Sequence, residues 1–152
     1  MNTAHLHLML NHLPVLGAPM LLALLAYGLW RRSPEVIRVA LWCTAVLGIV
    51  AVAVYLTGEP AEELVESLPT FDHDMVERHE SVALGTTAVL VVTATLAAVA
   101  LWAAKRGGRL AATATRLVLA GLLAGSVAVA AAAWTGGPIG HPEIRVGAPA
   151  AE

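Results

Sequence analysis

The chain has 152 residues, 58 % hydrophobic and only 13 % charged, where a soluble domain carries about 25 % charged residues. A net charge of -2 excludes a nucleic-acid binder with a basic footprint, and the apolar content excludes a disordered chain. The single cysteine, Cys43, excludes a disulfide-stapled scaffold. Length allows one domain; with a mean hydropathy of +0.74, residues 1–152 read as a single integral membrane domain in contact with the lipid bilayer.

A helix that crosses a hydrocarbon core of roughly 30 Å needs about 20 mostly apolar residues. Four stretches meet that length, at about 8–30, 37–57, 81–104 and 110–134, and lipid admits only helices or closed barrels. The fold expected is therefore all-α, an integral membrane four-helix up-down bundle. Arg31-Arg32-Ser33-Pro34 ends the first helix, because proline cannot continue it. Gly58 suits the end of the second, and Pro60 the first turn of a short helix. In residues 61–68, Leu64, Val65 and Leu68 share a face opposite the acids, which predicts a short interfacial helix between helices two and three. Asp74 and Glu77 resemble an N-cap pair, so helix three is expected to start near Asp74. Lys105-Arg106-Gly107-Gly108 makes a tight turn into helix four, and the tail beyond His141 is short and polar. No internal repeat is evident.

Charge orients the bundle. Arg31, Arg32, Arg38, Lys105, Arg106, Arg109 and Arg116 gather at the end with the two short turns, against Arg78 and Arg145 at the other. The positive-inside rule places the short turns in the cytoplasm and both termini outside. The start of the chain has no basic n-region and no cleavage site, so helix one reads as a retained span. All six histidines and every carboxylate except Glu35 then lie at the outer end. Topology explains the basic residues; it does not require the histidines to be confined to one end.

Three groups at that end are candidates for chemistry. In Asn11-His12-Leu13-Pro14, His12 is ringed by leucines and lies seven residues from His5, on the same face of a continuous helix; His7 points elsewhere. An ionisable group at that depth is costly unless it faces the bundle interior and is paired. Pro14 leaves carbonyls near Leu10 open for a ligand or water. The alternative is an interfacial histidine bonded to backbone. His79, in Glu77-Arg78-His79-Glu80, lies at similar depth, with Thr86 and Thr93 continuing below it at intervals of seven. Such threonines serve helix packing more often than a pathway, and His79 itself reads either as a ligand or as a capping residue, with Glu80 beside it. The third group follows helix four: Gly136-Gly137-Pro138-Ile139-Gly140-His141-Pro142-Glu143. It reads as a lid aiming His141 and Glu143 inward or as an ordinary tail, and Arg145 suits either an acid or a carboxylate of a bound ligand or cofactor. Gly121-x-x-x-Gly125 permits close helix approach, within the bundle or between protomers.

Taken together, His5 to Pro14, Gly58-Glu59-Pro60-Ala61-Glu62-Glu63, His79-Glu80 and Gly136-Gly137 to Ile144 resemble small bacterial four-helix inner-membrane proteins. The opening His-Leu-Pro stretch is similar to that of DUF2231-type membrane proteins. The resemblance implies the four-helix fold, a multi-pass place in the bacterial inner membrane and polar groups gathered at one end. It supplies no activity.

Three functions fit these residues. Helices one and three of such a bundle are diagonal neighbours, so His12 and His79 would face each other across it. The first function is a haem b electron carrier with those two as axial ligands. His5 or His141 would contact the haem propionates or a second haem, and electrons would pass between quinol and a periplasmic redox partner. The second is a divalent transition metal (zinc, iron or manganese) held by His12, His79 and His141 with Glu80, Glu143 or Glu63. A hydrolytic metalloenzyme would need an open coordination position besides. The third is a non-catalytic subunit or anchor of a larger membrane complex or homo-oligomer. These alternatives stay open on sequence alone.

Overall fold

The computed structural model describes residues 2–66, 69, 71–106 and 109–145. Among them every regular element is helical: α1 (Thr3–Leu10), α2 (His12–Trp30), α3 (Pro34–Leu56), α4 (Gly58–Val65), α5 (His73–Ala104) and α6 (Arg109–Gly140), followed by a 3-10 turn at Pro142–Ile144. Four helical stretches are long and apolar enough to cross a membrane: Thr3–Trp30, Pro34–Leu64, His73–Ala104 and Ala111–Gly140. Their outward faces carry large apolar side chains, with Ile49 73 % and Met20 69 % exposed. Water would oppose such a surface and lipid solvates it. The protein is a multi-pass membrane protein.

The long helices form a ring in which α2 and α5 each pack against α3 and α6, so α2 and α5 are diagonal. Small residues let the backbones close. A Cβ on Gly48 of α3 would collide with Ala94 Cβ on α5, and one on Gly121 of α6 would collide with Thr93 Oγ1. One on Gly125 would stand 2.9 Å from Leu90 Cδ2, so the Gly121/Gly125 pair works inside the bundle, against α5. Thr93 and Thr86 are buried and donate back to Val89 and Val82; Thr86 also reaches the Ala128 carbonyl of α6 at 3.1 Å. Both threonines are used in packing, as interhelical bonds commonly are in lipid.

The ends of the elements decide where the histidines sit. The first span is interrupted at Asn11, which closes α1 and precedes α2. Helix α3 ends one residue before Thr57, and Gly58 opens α4 rather than closing the preceding helix. Helix α5 begins at His73 because the side chain of Asp72, not Asp74, accepts from Met75 N at 3.1 Å. The largest departure is in α6. Gly136, Gly137 and Pro138 do not form a lid but extend the helix to Gly140, past the expected end at 134. At the basic end, Arg32 closes α2 with φ 52°, its N–H and that of Ser33 bonding back to Leu29 and Gly28. Ser33 then caps α3. Ser67 and Leu68 of the expected surface helix, Gly107 and Gly108 of the second short turn, and the tail beyond Arg145 lie outside the described residues.

Candidate functional site

At the end of the bundle rich in acids, α1 lies along α4 and over the end of α3. This turns His7 toward the protein. Its ring is half-buried, with Nδ1 3.1 Å from Thr57 Oγ1 and 3.2 Å from the Val54 carbonyl. A carbonyl only accepts, and the Thr57 hydroxyl already donates to Val54 O at 2.7 Å. Nδ1 therefore carries the proton and donates to both oxygens, and in the neutral ring Nε2 keeps its lone pair.

His79 is held in the same way from the other half of the chain. Its half-buried ring places Nδ1 3.1 Å from Thr135 Oγ1, with the Ala132 carbonyl also against it. Thr135 donates to Ala131 and Ala132 at 3.2 and 3.1 Å. Its hydroxyl thus accepts from His79, and Nε2 is again the free nitrogen. The next residue packs on the imidazole in both cases: a Cβ on Gly136 would stand 2.8 Å from His79 Cε1, and one on Gly58 3.8 Å from His7 Cε1.

Thr57-Gly58-Glu59-Pro60 and Thr135-Gly136-Gly137-Pro138 are thus two copies of one device. In each, a threonine, the carbonyl three residues before it and the glycine after it receive one histidine, at the α3–α4 junction in one copy and within α6 in the other. The sequence separations from histidine to threonine are 50 and 56 residues. The repeat was missed because its parts are distant in sequence and too small to register as similarity. The recurring Thr-Gly-x-Pro was the one signal available. His7 and His79 lie within electrostatic reach of one another.

The other expected site residues are placed differently. His12 is exposed, and its Nδ1 donates to the Leu8 carbonyl of α1 at 2.6 Å. His5 is also exposed. The interruption at Asn11 puts His5 on α1 and His12 on α2, so the heptad relation expected of a continuous helix is not kept, and the inward ring on α1 is His7. His141 is exposed and donates from Nδ1 to Glu143 Oε1 at 2.8 Å. The carboxyl of Glu143 is held below its usual range, first by its own backbone N–H and then by His141. Neither is aimed into the bundle by a lid. Arg145 donates from Nε to the Pro138 carbonyl at 2.9 Å, closing the turn onto the end of α6. Glu63 is exposed on α4.

Glu80, next to His79, meets Glu62 of α4 carboxyl to carboxyl. Glu62 stands on α4, near the end of the apolar stretch Pro34–Leu64. Two carboxyl groups in such contact need a proton or a cation between them. Among the described residues, no three of histidine, cysteine, aspartate and glutamate stand close enough together to hold a metal ion.

No protein-family model matches the chain, and no curated protein or solved structure matches it.

Proposed function

We propose that the protein is a membrane electron carrier that holds haem b through His7 and His79 near its acidic face. The observation that carries this reading is the matched anchoring of the two rings. Each gives its Nδ1 proton to a threonine and a main-chain carbonyl, and each keeps Nε2 for a ligand. A hydrogen bond of this kind orients a metal-binding imidazole and raises its basicity. The donor set also suits haem better than a bare ion. A porphyrin supplies four ligands and asks two of the protein, which agrees with a site that offers two histidines and no third ligand close by. Haem b supplies one-electron chemistry when bound. The chain's part is to fix two imidazoles by their Nδ1 protons. This reading replaces His12 by His7 as the partner of His79.

The charge distribution supports an orientation with the short basic turns in the cytoplasm and both termini outside. That arrangement, together with the resemblance to small bacterial four-helix inner-membrane proteins, favours the bacterial inner membrane. The redox partners would then be membrane quinol and an outer-face protein. Reporter fusions at the amino terminus and in the turn after Arg106 test the orientation, which requires opposite sides for the two.

Purified protein reconstituted with haem tests the cofactor. A Soret band that shifts on reduction, disappears in His7→Ala and in His79→Ala and survives in His12→Ala is the expected result. A band lost in His12→Ala but kept in His7→Ala would overturn the assignment. A second reading is favoured by the contact between Glu62 and Glu80 beside His79: a divalent zinc, iron or manganese ion, with those carboxylates turning to complete the imidazole pair. Colourless protein with stoichiometric metal selects that reading. Neither chromophore nor metal leaves an anchoring subunit.

A further inference from the structure

We infer that the opposite, basic end of the bundle binds the phosphate headgroup of an anionic phospholipid, in a cavity independent of the histidine site. A cavity of about 800 Å³ opens there between α3, α5 and α6, within the size range of ligand pockets. Arg32, Arg38, Lys105 and Arg116 line it, together with apolar groups that include Leu41 and Trp42. Among the described residues the single ion pair of the protein is His141–Glu143, at the other end. Among the described residues Glu35 is the one carboxylate at this end; it accepts from Ser33 Oγ and forms no ion pair with the four cations. Positive charge gathered around an apolar hollow is compensated by an anion that also has an apolar part, and in a bilayer that anion is a lipid.

The turn before α3 supports this independently. Arg32 adopts φ 52°, a left-handed conformation that costs a side-chain-bearing residue roughly 1–2 kcal/mol and that glycine adopts freely. An arginine at this position lines the cavity at the expense of the helix end. A free phosphate would satisfy the four cations as well, but it would leave the 59 % exposed Trp42 without a partner. An acyl chain covers it.

Native mass spectrometry of delipidated protein in detergent separates the two sources. Phosphatidylglycerol should be retained in preference to phosphatidylcholine, and inorganic phosphate should not displace it. Arg38→Gln/Arg116→Gln should weaken phosphatidylglycerol roughly thirtyfold, at about 1 kcal/mol per cation, while Arg38→Lys/Arg116→Lys should keep most of the binding and control for folding. Equal retention of the two lipids would overturn the inference. So would full displacement by inorganic phosphate, which indicates a free-anion site, or unaltered phosphatidylglycerol binding in a folded glutamine variant.

Discussion

Gly136 and His79 are in direct contact across α5 and α6: a methyl group at position 136 would stand 2.8 Å from Cε1 and 3.1 Å from Nδ1 of the imidazole. The ring cannot yield without leaving the Thr135 hydroxyl, because adjacent residues of α6 make both contacts. Gly136→Ala is therefore expected to displace His79 and abolish cofactor binding while leaving the helices in place. Gly140→Ala is the matched control, since nothing lies within 4 Å of a Cβ there, and it should bind normally. Cofactor stoichiometry beside helical circular dichroism reads the difference. Equal binding by the two variants would remove His79 from the site.

Thr57 and Thr135 make a second prediction. Valine keeps their shape and removes the oxygen that accepts from Nδ1 of His7 or His79. Each bond lost costs about 1 kcal/mol, and loss of such an orienting partner typically lowers ligand affinity 10–100-fold. Thr57→Val and Thr135→Val should each weaken binding by that order and shift the midpoint potential. Serine, which restores the hydroxyl, should recover most of the effect. Should Thr57→Val leave affinity and potential unchanged while Thr135→Val alters both, only one of the rings is a ligand.

The spans were readable because hydropathy alone decides them: lipid tolerates nothing else over such a length, and α2, α3, α5 and α6 stand where the apolar runs lie. The histidine site was readable only in part. His79 was legible as a polar group at the mouth of an apolar helix. His7 was not, because helical periodicity sorts residues into faces without saying which face turns inward. That choice is made by the docking of α1 on α4, a contact between segments about fifty residues apart. Gly136 and Gly137 misled for a different reason. Glycine and proline ordinarily end helices, but here α6 continues through them to Gly140, and the absent side chain at Gly136 makes room for an imidazole.

Close backbone approach makes the last prediction, and it separates the glycines that hold the bundle from one that does not. Gly48 meets Ala94 and Gly121 meets Thr93 so closely that an added methyl group has no room. Forcing one in costs about 1–3 kcal/mol, typical of overpacking a close-packed interior. Gly48→Ala and Gly121→Ala should accordingly lower the unfolding midpoint in detergent. Gly85, in the exposed interior of α5, has nothing within 4 Å of its added Cβ. There alanine removes backbone freedom from the unfolded chain and should stabilise by roughly 0.5–1 kcal/mol. The two results have opposite signs although all three positions are glycines inside apolar helices. If all three variants moved the midpoint in the same direction, α3, α5 and α6 would not meet through Gly48 and Gly121, and the ring that seats His79 beside Thr135 would lose its support.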